Sequence, residues 1–215
     1  MLAFAAAVAI QVAAASDLQF ALPEIAAGCK GVDARISYGS SGLLYAQIVN
    51  GAPIDVYLSA DVAYPRKLAK DVFVYAVGQL VLWSSKIEVD KGPRALLDRG
   101  VRRVAIANPD HAPYGRAAVE ALKALGIYDQ VQPKLVFGEN VGQAAQFAES
   151  GNVDAALLPL SHALRMQGRY QQIAHPGLEQ GGAILSSKPA ARAFVECLTG
   201  PGGRAILQRH GFGVP

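Results

Sequence analysis

Small hydroxyl and amide residues recur in this 215-residue chain wherever a short apolar run gives way to an amphipathic one. Ser16 follows Ile10–Ala14, Ser40 and Ser41 follow Ala34–Tyr38, Pro113–Gly115 follow Val104–Ala107, and Asn140–Val141 follow Leu135–Phe137. The chemistry open to such residues is hydrogen-bond donation to an anion. The first turn of a helix has backbone N–H groups without internal partners, and the aligned peptide dipoles give them partial positive charge. Several such ends meeting at one point make an anion site without Lys or Arg. Small residues let the anion approach the backbone closely.

Each junction alone has a plainer use, because Ser, Asn and Asp are the usual helix N-caps. The coincidence of four junctions favours the ligand reading, as does the doubling of Ser40 by Ser41, since a cap needs one hydroxyl. Each hydrogen bond to a charged group is worth roughly 1.5–3 kcal/mol net. About five to seven donors then yield a gross gain on the order of 10 kcal/mol for a dianion, before the costs of ordering and closure.

Other chemistries fit less well. Ser161 and His162 are adjacent, so their side chains diverge and do not pair as nucleophile and base. The chain has no Gly-x-Ser-x-Gly elbow, no phosphate loop ending in Gly-Lys-Ser/Thr, and no dinucleotide glycine fingerprint after its first strand. His111, His162, His175 and His210 show no metal-binding spacing. His111 falls near the Pro113 junction, where a supporting role suits it better than ligation. Trp83 reads as core or a strand end. No positioned acid–base pair is evident, so the chain is expected not to be an enzyme.

The elements that must carry these junctions alternate. Strands are predicted at Ile10–Ala14, Ala34–Tyr38, Ile54–Leu58, Leu80–Trp83, Val104–Ala107, Leu135–Phe137, Ala155–Leu158 and Ala183–Leu185. Helical segments are predicted after Ser16-Asp17, at Leu43–Asn50, Arg116–Leu125 and Val141–Glu149, and near 190–198 and 203–210. After Ser16, Leu18, Leu22 and Ile25 make one buried face, with a bend expected at Pro23. Ala118, Leu122 and Leu125 are expected to line the core face of the helix after Pro113. The alternation predicts an α/β fold with mostly parallel sheets, as one open sheet or two smaller ones.

Composition narrows the field. Hydrophobic residues make up 52% and charged residues 17%, enough apolar material for a core. The net charge is +3 and no run of Lys and Arg exceeds a pair, which argues against nucleic acid. Cys29 and Cys197 read either as one disulfide or as two separate buried thiols. The apolar start, Met1–Ala9, reads as the middle and end of an export signal lacking its charged start, or as a buried first strand. The export reading is preferred, and no later run reaches the ~18–20 apolar residues of a membrane span.

Taken in order, these junctions resemble the periplasmic molybdate-binding proteins of ABC importers (ModA type). The resemblance is carried by Ala13–Leu18, Ser40–Gly42 with Gln47-Ile48, Gly51–Val56, Leu58–Asp61, Ala107–Pro109 with Ala112–Gly115, Gly138–Val141 and Gly211-Phe212. It implies a two-lobed type II binding-protein fold, each lobe a mixed sheet flanked by helices, closing on a tetrahedral oxyanion. It places one lobe at 1–84 and 179–215 and the other at 85–178, with the ligand cleft between them. It implies ligand contacts from Ser16 and Ser41 through hydroxyl and backbone N–H, and from Tyr114 and Val141 through backbone N–H, with no direct metal ligand and no resident cofactor. The implied ligand is molybdate or tungstate, and the implied partner is a membrane permease, with the protein exported and monomeric. Sulfate, phosphate or another small anion is the alternative ligand, and an enzyme on the same fold the alternative class. Where some members of the family have a ligand Tyr, this chain has Pro159, which has neither hydroxyl nor N–H.

Overall fold

The computed structural model describes residues 7–215. Of the apolar start, Met1 to Ala6 lie outside the described residues, so the export reading is not addressed there, while Val8 and Ala9 open the first strand.

The chain begins with β1 (Val8–Ala15), a 3-10 turn (Ser16–Leu18), α1 (Leu22–Gly28), β2 (Val32–Gly39), α2 (Ser41–Val49), β3 (Val56–Ser59), α3 (Ala63–Arg66) and β4 (Val72–Gly78). It continues through β5 (Leu80–Ser84), a 3-10 segment (Gly92–Leu97), β6 (Val104–Ala107), α4 (Pro113–Ala124), α5 (Tyr128–Val131) and a 3-10 turn (Gln132–Lys134). There follow β7 (Leu135–Gly138), α6 (Val141–Glu149), β8 (Ala155–Pro159), α7 (Leu160–Ala163) and β9 (Arg169–Gln172). The chain closes with β10 (Leu178–Ile184), α8 (Pro189–Thr199) and α9 (Pro201–Arg209).

Two five-stranded sheets result, in the orders β2-β1-β3-β10-β4 and β7-β6-β8-β5-β9. Both are mixed. In the first, β1 pairs in parallel with β2 and β3, and β10 runs antiparallel to β3 and β4. In the second, β6 pairs in parallel with β7 and β8, and β5 runs antiparallel to β8 and β9. The two sheets therefore share one plan without any sequence repeat of fixed period. In each, three parallel strands point their C-terminal ends the same way, and the central one is a switch point where loops diverge to make a crevice.

The sequence supplies cores on both sheets. Ile10, Val12, Leu18, Leu22 and Ile25 pack with Phe194 and Leu198 on the first. Leu80, Leu82, Ile106, Ala118 and Leu122 pack on one side of the second, and Val81, Trp83, Ala145 and Leu158 on the other. Trp83 is thus a core residue. Leu125 departs from expectation and is 38% exposed, because α4 stops at Ala124 and Gly126 turns the chain away at φ +67°. Pro23 bends no helix either. The chain breaks between Leu18 and Leu22, and Pro23 falls in the first turn of α1, where the missing N–H costs nothing.

The domain boundary shifts. Leu80–Ser84 is not the end of the first lobe but a strand of the second sheet, hydrogen-bonded to β8 and β9. The outgoing crossing therefore lies at Gly78-Gln79, not after residue 84. The chain returns to the first sheet at β10, and α8 and α9 pack there with α1. Two strands escaped the sequence: β4, and β9, whose residues are all exposed and so lack an apolar signature.

Cys29, capping α1, and Cys197, on α8, form a disulfide across 168 residues of sequence. Closing so long a loop restricts the unfolded chain and is worth about 2–5 kcal/mol. Replacing Cys197 with Ser is expected to lower stability by about that amount. Urea denaturation of the wild type with and without reductant, beside the variant, tests it.

Candidate oxyanion-binding site

The parallel strands of both sheets end at one cavity. The first lobe contributes Ala15, Ser16 and Asp17 at the end of β1, Gly39, Ser40 and Ser41 at the end of β2, and Ala60 after β3. The second contributes Ala112, Pro113 and Tyr114 after β6, and Asn140 and Val141 after β7. The four residues singled out from sequence, Ser16, Ser41, Tyr114 and Val141, all line it. The space between these walls is small.

Among the described residues, no Lys, Arg or His lines this cavity. Its donors come from helix starts, and the local sequence leaves them free. Ser40 is the N-cap of α2 but does not cap it with its side chain; its hydroxyl is 2.8 Å from His111 Nδ1. Ser41 Oγ accepts the N–H of Ala60 at 3.0 Å, so its own proton remains to be donated. The hydroxyl of Tyr57 donates to the Ser41 carbonyl at 2.7 Å and fixes the turn. The doubled serine thus does two jobs, and neither is the cap.

At α4 the N-cap is Ala112 and the first helical residue is Pro113, which has no N–H, so the Tyr114 N–H is the first free donor. Gly115 lets this turn seat directly on β6, since a Cβ there would lie 2.2 Å from the Ala107 carbonyl oxygen. At α6 the plain reading holds: Asn140 Oδ1 accepts the N–H of Gln143 at 3.1 Å. That cap leaves the Val141 N–H without a partner inside the helix. Pro159, at the end of β8, is not among the residues lining the cavity.

The lobes touch across the cleft. His111 receives the Gly42 N–H on its carbonyl at 2.9 Å. Arg116 reaches from α4 to Asp61 at 2.9 Å and to the Tyr64 hydroxyl at 3.2 Å. Ser161 Oγ donates to the Asp17 carbonyl at 2.9 Å. Ser161 and His162 are therefore structural here. Burial lowers His162 to about 4, so it is neutral at pH 7.

Beneath the cavity lies a network that the sequence did not announce. Gln180, on β10, donates through Nε2 to Asp17 Oδ2 and, at 3.2 Å, to the Tyr114 hydroxyl oxygen. All three side chains are buried. Gln180 carried no signal, because only the end of its strand was apolar enough to read. Burial pushes the Asp17 carboxyl up from 3.8 to about 6, with the bonds from Gln180 and Tyr114 partly opposing it. Burial, and then the nearby Asp17 charge, raise the Tyr114 phenol well above its ordinary value.

Comparison with known proteins agrees with this geometry. Residues 10–213 match the model of the family described as bacterial extracellular solute-binding protein. The chain belongs to that family, as a ModA-type member. It is 36% identical over 193 residues to the molybdate-binding protein ModA of Rhodobacter capsulatus, covering 82% of this chain and 75% of that one. It is 36% identical over 233 residues to ModA of Azotobacter vinelandii, covering 98% and 92%. The solved Azotobacter vinelandii periplasmic molybdate-binding protein superposes with a TM-score of 0.88 at 34% identity, covering 96% of this chain and 99% of that one. The two-lobed type II fold with mixed sheets is thereby established, and the family is one of solute binding, not catalysis.

A carboxyl with a raised folded-state value holds its proton longer in the folded chain than in the unfolded one. Asp17 therefore favours folding most below pH 3.8, and this contribution is lost as pH rises through about 6. At about 1.4 kcal/mol per tenfold, the ionised group costs on the order of 3 kcal/mol at pH 8. Asp17→Asn is expected to be about 1–3 kcal/mol more stable than wild type at pH 8 and nearly equal to it at pH 4. Denaturant titrations at the two pH values check this, and a variant less stable at pH 8 contradicts it.

Proposed function

We propose that this chain captures molybdate, with tungstate as a second ligand, and delivers it to the permease of an ABC importer, acting as an exported monomer. The single observation that carries the reading is the convergence of Ser16, Ser41, Tyr114 and Val141 on one cavity without a cationic side chain. The similarity to molybdate-binding proteins over nearly the whole chain supports the choice of ion.

In this reading Ser16 and Ser41 each give a hydroxyl and a backbone N–H, one from each of two turns of the first lobe. Tyr114 and Val141 give backbone N–H groups from the second. The donors sit at helix starts, where the dipoles add to each bond. Because they come from both lobes, only the closed protein offers the full set, and the anion stabilises closure by its difference in affinity for the two forms. Sulfate carries the same charge on a smaller body. A cage sized for molybdate leaves some of its donors unpaired around sulfate, and each unpaired buried donor is costly. Pro159 adds no donor, so the hydroxyls of Ser16 and Ser41 are the side-chain donors of this cage.

Titration calorimetry with molybdate, tungstate and sulfate tests the proposal. Molybdate and tungstate are expected to bind tightly and sulfate much more weakly; equal or absent heats for all three reject it. Ser41→Ala is expected to weaken molybdate binding by about 1–3 kcal/mol, the range for a lost bond to a charged group. An unchanged affinity removes Ser41 from the cage.

A further inference from the structure

The buried network below the cavity links its two walls. On the first lobe Ser16 lines the cavity, and its neighbour Asp17 sends a carboxylate oxygen to Gln180 Nε2. On the second lobe Tyr114 also lines the cavity, and its phenol oxygen takes a bond from the same Gln180 nitrogen at 3.2 Å. The bonds among Asp17, Gln180 and Tyr114 therefore run from one wall to the other, with the Gln180 amide touching both partners and the phenol also set against the Asp17 carboxyl.

Little slack exists along it. Asp17, Tyr114 and Gln180 are 1%, 2% and 0% exposed. Gln180 lies in β10 opposite Ala76 of β4, beside a register shift at Gln180-Gly181, and β10 pairs with β3 from Gly181 onward. The Tyr114 ring ends against the crossing between lobes: a Cβ on Gly78 would overlap the phenol oxygen and Gln180 Nε2 and push both tips aside. Asp17 Oδ1 and Gln180 Oε1 are buried with no hydrogen-bond partner in the described structure. Such orphaned atoms are rare and costly, and their retention asks for a purpose other than stability.

We infer that the Asp17–Gln180–Tyr114 bridge is a gauge that fixes how far apart the Ser16 and Tyr114 walls stand in the closed protein, and so sets the radius of oxyanion the cavity accepts. The inference rests on the proposed capture of a tetrahedral dianion. Asp17 and Tyr114 act here through their side chains as positioning residues, apart from the main-chain donors beside them. Ser161, buried, also bonds across the lobes, to the Asp17 carbonyl, but does not line the cavity. The Arg116 link differs in kind. Arg116 is a long side chain, one-third exposed, on the flank of the cleft, and it does not line the cavity. It can tether the lobes but cannot gauge their spacing.

Tyr114→Phe removes the phenol oxygen and keeps both the ring and the backbone N–H. The affinities of the full chain for molybdate and for sulfate, measured by calorimetry, are compared between variants. The bridge is expected to be needed for discrimination, so Tyr114→Phe narrows the molybdate-over-sulfate ratio by tenfold or more. Arg116→Ala is expected to weaken both anions by a similar factor and leave the ratio unchanged, as a general aid to closure does. A Tyr114→Phe ratio within threefold of wild type overturns the inference, and so does an Arg116→Ala variant that narrows the ratio equally. Should Tyr114→Phe fail to fold, Gln180→Met, similar in length and without the amide, cuts the bridge at its centre and is read the same way. A wild type that binds neither anion sinks the capture reading together with the gauge. A wild type that discriminates while both variants keep its ratio sinks the gauge alone.

Discussion

Buried backbone N–H groups must find partners, and this chain withholds the usual ones at the place where its helices meet. Most helix starts satisfy their first-turn donors with a capping side chain. At α2 the two candidate hydroxyls are engaged elsewhere, Ser40 beside His111 and Ser41 under the Ala60 N–H. At α4 the cap position is an alanine. The donors that remain are fixed in space by the sheets behind them and have no partner of their own within the helix. A small anion with several acceptor oxygens completes what the fold leaves open. The absence of Lys and Arg from the cavity follows from the same economy: fixed neutral donors discriminate by position, whereas a mobile cation rewards any negative charge that reaches it.

The architecture makes that convergence possible by using one plan twice. Each sheet has a central strand, β1 or β6, flanked by two parallel strands, so three loops leave the same edge. One lobe alone presents about half a shell of donors. Two lobes facing each other close the shell, and the antiparallel strands β5 and β10 carry the chain between them. The near absence of slack at the crossing has a visible cause in Gly78, whose missing side chain is filled by Tyr114 and Gln180.

Much of this was legible in the residues. The strands that carry the site are short, apolar on both faces and followed by small residues, and that pattern survives in the sequence because packing and ligand approach both demand it. The cavity lining followed from the same junctions. What was not legible had no local signature. The exposed strand β9 has no buried face to reveal it. The crossing was placed too late because Leu80–Ser84 reads equally well in either sheet; only its pairing decides. The Cys29–Cys197 bond and the Asp17–Gln180–Tyr114 network join residues 168 and up to 163 positions apart, and spacing carries no information over such distances. Nor does a sequence say that a serine at a helix start will turn away from its own helix.

Asp17 exposes the tension that such a site must resolve. Its buried carboxyl opposes folding at neutral pH and adds negative charge beside a cavity built for anions, so neither stability nor raw attraction explains its presence. A hydrophobic residue there would ease both. It would also cut the link from Ser16's neighbour to Gln180 and on to Tyr114, leaving the lobes joined by the Ser161 bond to the residue-17 carbonyl and by the contacts of His111 and Arg116. Burial is what makes the arrangement rigid: in a low-dielectric interior the bonds from the amide are stronger and have no water to compete with them. The fold therefore accepts an electrostatic cost in the lining of the cavity together with a buried bridge between its walls. In the proposed capture of one oxyanion among others alike in charge and shape, the spacing of the walls is the quantity that matters.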